Sequence, residues 1–185
     1  MKQAMAAAVL EALLGAPMPA GARPAEHVDL GAPECRVRAE GHEAQRLLGA
    51  AVTASPTVAR LVADLQATDL VVTVELKPLP KQLNGHVQVA AATPVARYLR
   101  LVVGVPKGES ELMAVLGHEL RHTLESAATP DVRDDESLAR AYRRIGTAQF
   151  GNGRWHETEA ALETGRIVAR EVAVAGHSGR ATAAR

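Results

Sequence analysis

Apolar and polar positions alternate through DLVVTVEL, Asp69 to Leu76, and the β-branched residues there predict a strand. KPLPKQLNG follows, a turn with two prolines and an Asn84-Gly85 pair. HVQVAAA, His86 to Ala92, and ARYLRLVVGVP, Ala96 to Pro106, predict two further strands. Short connections between the three predict a small antiparallel sheet, a meander, because a parallel pair needs a longer crossover, with a mixed sheet as the alternative. On either side the period is near 3.6. One helix is expected over Glu43–Val52. A second begins at Ser55-Pro56, a cap followed by proline at the first helical position, and runs through TVARLVADLQA. After KGES a third runs from Ser110, as N-cap, to about Ala128, before Thr129-Pro130. SLARAYRRIGTAQF predicts a fourth, GNG breaks it, and a last helix runs from near Arg154 or Trp155 to near Ala175. Helices, a small sheet, then helices make the class α+β.

The flanks differ from this middle. Lys2 precedes AMAAAVLEALLGAPMPAGA, and Ala20-Gly21-Ala22 has the small residues of a cleavage site, so residues 1–22 read as a signal peptide interrupted by Glu11. That reading places the mature chain outside the cell or in the periplasm; without it the chain is cytoplasmic. Residues 23–40 read as a Gly, Pro and Ala-rich linker, 41–175 as the domain, and 176–185 as a disordered tail. No stretch approaches the ~20 apolar residues of a membrane span, so no integral membrane segment is expected in the mature chain.

Charge narrows the partners. Lys+Arg and Asp+Glu both number 21, so no broad basic surface is implied, and aromatics are 2% of the chain. Both facts argue against nucleic acid, which calls for basic surface and stacking rings. With Cys35 as the one cysteine, neither an internal disulfide nor a cysteine metal cage can form. Any metal must be held by histidine and carboxylate.

AVLGHELRHTLE, Ala114 to Glu125, carries such residues. On a helix, positions i and i+4 share a face, so His118 and His122 can aim ring nitrogens at one ion. Glu119, turned ~100° from His118, can reach a water on that ion. This is the H-E-x-x-H zincin pattern, two ligands followed by a general base. Leu112, Leu116, Leu120, Leu124 and Ala127 form the opposite, core-facing stripe. Without a metal the polar stripe would simply face solvent.

A catalytic zinc commonly has three protein ligands and one open position. Glu125 lies one turn beyond His122, but three ligands from one straight helix converge poorly, so it is expected behind the ligands. On the last helix, Ala160, Ala161, Thr164, Ile167, Val168 and Val172 fall within about 80° of Glu157, whereas Glu159, Glu163, Arg166 and Arg170 face away. Glu157 is thus an acid on an apolar face, where a carboxylate is costly unless paired or bound to metal. It is the expected third ligand, with His156 and Glu136 in reserve. An acid favoured by a helix dipole would also explain it.

GHELRHTLE together with HETEAA resembles the gluzincin branch of zinc metallopeptidases. The pattern is distantly similar to CAAX-protease and HtpX-like peptidases, where H-E-x-x-H is followed by E-x-x-A-D. It also resembles small exported bacterial proteins with H-E-L-x-H-x-x-E. The resemblance implies a zincin-like fold, Zn2+ held by His118, His122 and Glu157, Glu119 as catalytic base, and a peptide or protein substrate. Ala160 matches the motif alanine. Ala161 stands where those families carry aspartate, a role left empty or passed to Glu125 or Glu171. The families are membrane proteins, so the likeness covers two helices of this chain. The alternative is an inactive zincin-fold binding module with a structural or vestigial metal site.

For the oxyanion, Tyr142, Arg143 and His156 are candidates by residue type. An edge strand could align an extended peptide by strand addition, as gluzincins do, with the segment from Ala96 to Val105 the nearest in sequence. Arg97 and Arg100 read as solvated charge. His27, His42, His86 and His177 read as exposed residues of turns and tails, and Cys35 as a free thiol without a role.

Overall fold

The computed structural model describes residues 30, 34–149 and 155–183. The expected signal segment, residues 23–29 (with His27) and 31–33 of the expected linker, the Gly-Asn-Gly break and the last two residues of the expected tail lie outside them. The elements in chain order are β1 (Val37–Ala39), α1 (His42–Ala54), α2 (Pro56–Gln66), β2 (Leu70–Pro78), β3 (Gly85–Ala92), β4 (Arg97–Val105), α3 (Glu109–Ala127), α4 (Asp135–Ile145), β5 (Thr147–Gln149), β6 (Trp155–Glu157) and α5 (Glu159–Ala183). The class is α+β, as the patterning predicts.

The sheet is not a meander. Its order is β1-β2-β4-β3, with β1 parallel to β2, β2 parallel to β4, and β3 antiparallel to β4. The strand after the Asn84-Gly85 turn passes to the far side of β4 instead of pairing with β2, so β3 itself supplies the crossover length. Side-chain character explains the choice. RYLRLVVGV puts Leu99, Leu101, Val102 and Val103 in buried positions, which suits a central strand covered on both faces. GHVQVAAA stays half-exposed along its length, which suits an edge. The expected linker also contributes β1, whose Val37 is fully buried.

One face of the sheet carries the helices. Ser55 caps α2, its hydroxyl accepting from Val58 N at 3.1 Å, as the Ser-Pro pair predicts. Val58, Val62 and Leu65 of α2 pack with Leu47 and Leu48 of α1 against Val72, Val74, Leu99 and Leu101. Leu116 and Leu120 of α3 and Val168 and Val172 of α5 complete this core. Helix α3 starts one residue after Gly108, earlier than a Ser110 cap would allow. Gly117 explains how α5 comes so close to it: a Cβ there would lie 2.6 Å from Val168 Cγ2. Gly165 on α5 is the reciprocal small residue, its missing Cβ facing His118 Cβ at 3.4 Å.

Arg97 is not solvated charge. It is 1% exposed, and its guanidinium donates to both carboxylate oxygens of Asp69 at 2.7 Å. It also reaches the carbonyls of Ser126 at 3.0 Å and Thr129 at 2.8 Å. A buried cation at the C-terminal end of α3 meets the helix's unsatisfied carbonyls and its negative dipole end. Arg100 is half-exposed and pairs with Glu75 at 2.6 Å.

A second, smaller cluster of Val132, Leu138 and Ala141 packs α4 against Val89 of β3. Asp134 and Ser137 form a reciprocal capping box at the start of α4. Gly146 ends that helix, and Thr147–Gln149 pairs as β5 with β6 where a continuous helix was expected. Helix α5 begins at Glu159 and extends through Ala183, past the expected end at Ala175. Among the described residues, no helix is long and apolar enough to cross a membrane.

Candidate metal centre

His118, His122 and Glu157 converge. Each offers one donor atom, and the three atoms lie within 4.8 Å of one another. Glu157 Oε1 is 3.2 Å from His118 Nε2 and 3.0 Å from His122 Nε2. The two rings stand edge to face with centroids 4.8 Å apart, as i and i+4 on one helix face allow. Two imidazoles and a carboxylate form a donor set that could hold a metal ion.

Glu157 reaches this point by a different route from the expected one. It is the last residue of β6, not a first-turn residue of α5. Thr158 is the true cap, its hydroxyl accepting from Ala161 N at 3.1 Å. A threonine followed by the acid Glu159 is an N-cap signal, and it could have placed the helix start after Glu157. The Glu157 carboxylate is therefore aimed by a short ribbon packed on α4.

Glu125 stands behind His122. It accepts from His122 Nδ1 at 3.1 Å and from the Thr158 hydroxyl at 2.8 Å. This fixes the imidazole with its Nε2 toward Glu157, the arrangement that metal-ligating histidines commonly show. Thr158 thus joins the cap of α5 to the support of His122. Glu171, the other residue considered for the aspartate role the resemblance implies, lies elsewhere: it bonds Thr57 Oγ1 at 2.8 Å at the start of α2 and also takes the Ser55 hydroxyl. The aspartate position itself, Ala161, is fully buried.

The charges fit an ion site. Burial would hold His122 down, but its hydrogen bonds to Glu125 and Glu157 lift its pKa to about 9. Burial works to raise Glu157, and the hydrogen bonds from His118 and His122 override it, taking the carboxyl to about 2. Both ring nitrogens of His122 face carboxylates, Nδ1 facing Glu125 and Nε2 facing Glu157. Glu119 differs. It is 4% exposed, and burial pushes it up to about 7 against the pull of His122 and His118. Its carboxylate lies against Gly85 of β3, where a Cβ would come within 2.6 Å of Oε1.

These groups open into a cleft of about 730 Å³ between β3, α3, α4 and α5. Leu83, Val87, Val115, Leu138 and Leu162 supply apolar wall, and His86 and His156 also line it. His86 is therefore a half-buried strand residue, and burial lowers its pKa. His156 sits on β6 beside Glu157 but outside the three-donor group. Glu136 is 82% exposed and pairs with Arg140 at 2.7 Å, away from the cleft. Tyr142 lines the cleft with its ring edge-on to His122, but its hydroxyl donates to the His122 carbonyl at 2.6 Å. Burial raises that phenol further. The hydroxyl thus braces α3 and does not face the donors. Arg143 is exposed and is not among the cleft-lining residues. Cys35 is buried, its thiol donating to Val37 O at 3.1 Å.

Compared with known proteins, the chain matches no family model, no curated protein and no solved structure. The reading of the site rests on its own geometry.

Proposed function

We propose that this chain is a zinc-dependent peptidase of the H-E-x-x-H type, with His118, His122 and Glu157 as ligands and Glu119 as general base. The observation that carries it is the pairing of a three-donor group with a separate buried carboxylate, Glu119, on the cleft side of the same helix. A site that only held a structural metal would have no use for that fourth group.

Zinc bound there supplies Lewis acidity, which makes a water nucleophilic near neutral pH and polarises a carbonyl. The protein's own groups do the rest. Glu119, buried on the cleft side of α3, can take a proton from the attacking water and pass it to the leaving amine. Glu125 and Thr158 hold His122 in one orientation. Outside the donors, β3 is the edge strand of the sheet, and it offers main-chain groups to an extended peptide. The central β4 cannot do so, since both its sides are paired.

Metal analysis and a cleavage assay test this together. Purified protein is expected to carry close to one zinc, lost in His118→Ala and Glu157→Ala. Glu119→Gln is expected to keep the zinc and to cleave an unfolded protein substrate no faster than background. Zinc content indifferent to His118→Ala would sink the site. A zinc-loaded wild type that cuts nothing in a broad peptide library would favour the binding-module reading.

A further inference from the structure

Main-chain geometry along β3 goes further than the metal group does. The Gly104 N–H donates to Asn84 O at 2.7 Å, and the register sets His86 opposite Val102 and Gln88 opposite Arg100. Antiparallel alternation then turns the N–H and C=O groups of Gly85, Val87 and Val89 outward, away from β4, and Gly85 and Val87 line the cleft. Gly85 lies against the Glu119 carboxylate. Four residues along, the outward N–H of Val89 is already taken: it donates to Asp135 Oδ1 at 2.7 Å. A side-chain oxygen from the first turn of α4 stands where the carbonyl of an added strand would stand. Beyond it α4 is packed onto β3 through Leu138 and Val89, and the Arg133 guanidinium donates to Thr93 O at 2.6 Å. The pairing edge stops there.

We propose that Asp135 closes this edge, so that the substrate is a peptide whose free N-terminus lies within about four residues of the bond cut. The inference rests on the peptidase reading and names its substrate class. At ~3.3 Å per residue, Gly85 to Val89 spans ~13 Å, room for about four residues of extended chain. An added strand pairs best antiparallel, which sends its N-terminal side toward Asp135. An ammonium group arriving there meets a carboxylate. A longer chain would have to displace that carboxylate from the Val89 N–H. Asp135 is thus a specificity-determining residue, remote from the reacting bond.

A mixed library of twelve-residue peptides, each with a free or an acetylated N-terminus, tests this with the zinc-loaded protein, cut positions being read by mass spectrometry. Wild type is expected to cut within about four residues of the N-terminus and to favour free over acetylated ends about tenfold, the worth of one charge-assisted contact. Asp135→Ala is expected to spread the cuts deeper into the chain. Asp135→Asn, which retains an acceptor for the Val89 N–H, is expected to keep the length limit and lose the preference for a free amine. Wild-type cuts scattered evenly along the peptides would overturn the inference and leave the peptidase reading standing, as would an Asp135→Ala profile unchanged in a folded variant. If wild type cuts nothing, the peptidase reading falls and this inference falls with it.

Discussion

Glu125 accepts the Nδ1–H of His122 at 3.1 Å from one turn further along α3, while the opposite nitrogen of the same ring faces Glu157 at 3.0 Å. One carboxylate orients the ring and another shares its target. Removing the first should therefore weaken metal binding without removing a ligand. Glu125→Ala is expected to lower zinc affinity by roughly 10- to 100-fold, and Glu125→Gln by less, since the amide oxygen can still accept. Competition against a chromophoric chelator measures this. Unchanged affinity in a folded Glu125→Ala protein would refute the role.

Metal should also stabilise the fold, because its ligands come from α3 and β6, far apart in the chain. With free zinc at a thousand times its dissociation constant, the expected gain is about 4 kcal/mol. Thermal unfolding with and without a chelator reads it as a shift in Tm. His118→Ala is expected to abolish the shift. A Tm indifferent to zinc in the wild type would count against a site that links these elements.

Gly85 is predicted to matter through space alone. A methyl group there would meet Glu119 Oε1 at 2.6 Å and Cγ at 2.8 Å, so the Glu119 carboxylate, the proposed base, must move. A displacement near 1 Å can cost about 10²-fold in rate. Gly85→Ala is expected to lose activity on that scale with zinc content and Tm close to wild type. Full activity in this variant would mean that Glu119 need not sit against β3.

Asp69 and Arg97 supply a pH dependence remote from the cleft. The Arg97 hydrogen bonds hold the Asp69 carboxyl below its ordinary 3.8. A folded pKa below the unfolded one stabilises the protein above the unfolded value, and the gain drains away as pH falls from about 4 through the lowered native value. Asp69→Asn is expected to cost about 2 kcal/mol at neutral pH, a charge-assisted pair discounted for the exposure of Asp69. Its denaturant midpoint should fall less steeply than wild type below pH 4. Parallel curves for the two proteins would show that the pair does not carry this acid sensitivity.

Local pattern served well wherever one element settles a matter by itself. The α+β class, α1, the Ser-Pro start of α2, the extents of β2, β3 and β4, and the shared face of His118 and His122 follow from periodicity and caps within a few residues. Strand order did not follow. Pairing depends on which strand can be covered on both faces, and short connections misled because β3 could act as its own crossover. Arg97 is buried for a related reason, one invisible to local pattern: its partners, Asp69 and the end of α3, lie far from it in sequence.

The candidate site divides along the same line. The sequence by itself determined that a helix would present two histidines and a glutamate on neighbouring positions, because a 3.6-residue period is a property of the local backbone. It also singled out Glu157 as an acid among apolar neighbours, though from a helix that begins two residues later. Only the tertiary structure decided that Glu157 meets both imidazoles, that Glu125 and Thr158 brace His122, that Gly85 of an edge strand lies against Glu119, and that Asp135 takes the Val89 N–H of that strand. Those relations are made by packing: Gly117 and Gly165 bring α5 down onto α3, and the small cluster around Leu138 holds α4 on β3. Contacts between elements distant in the chain leave no period behind for a linear reading to find.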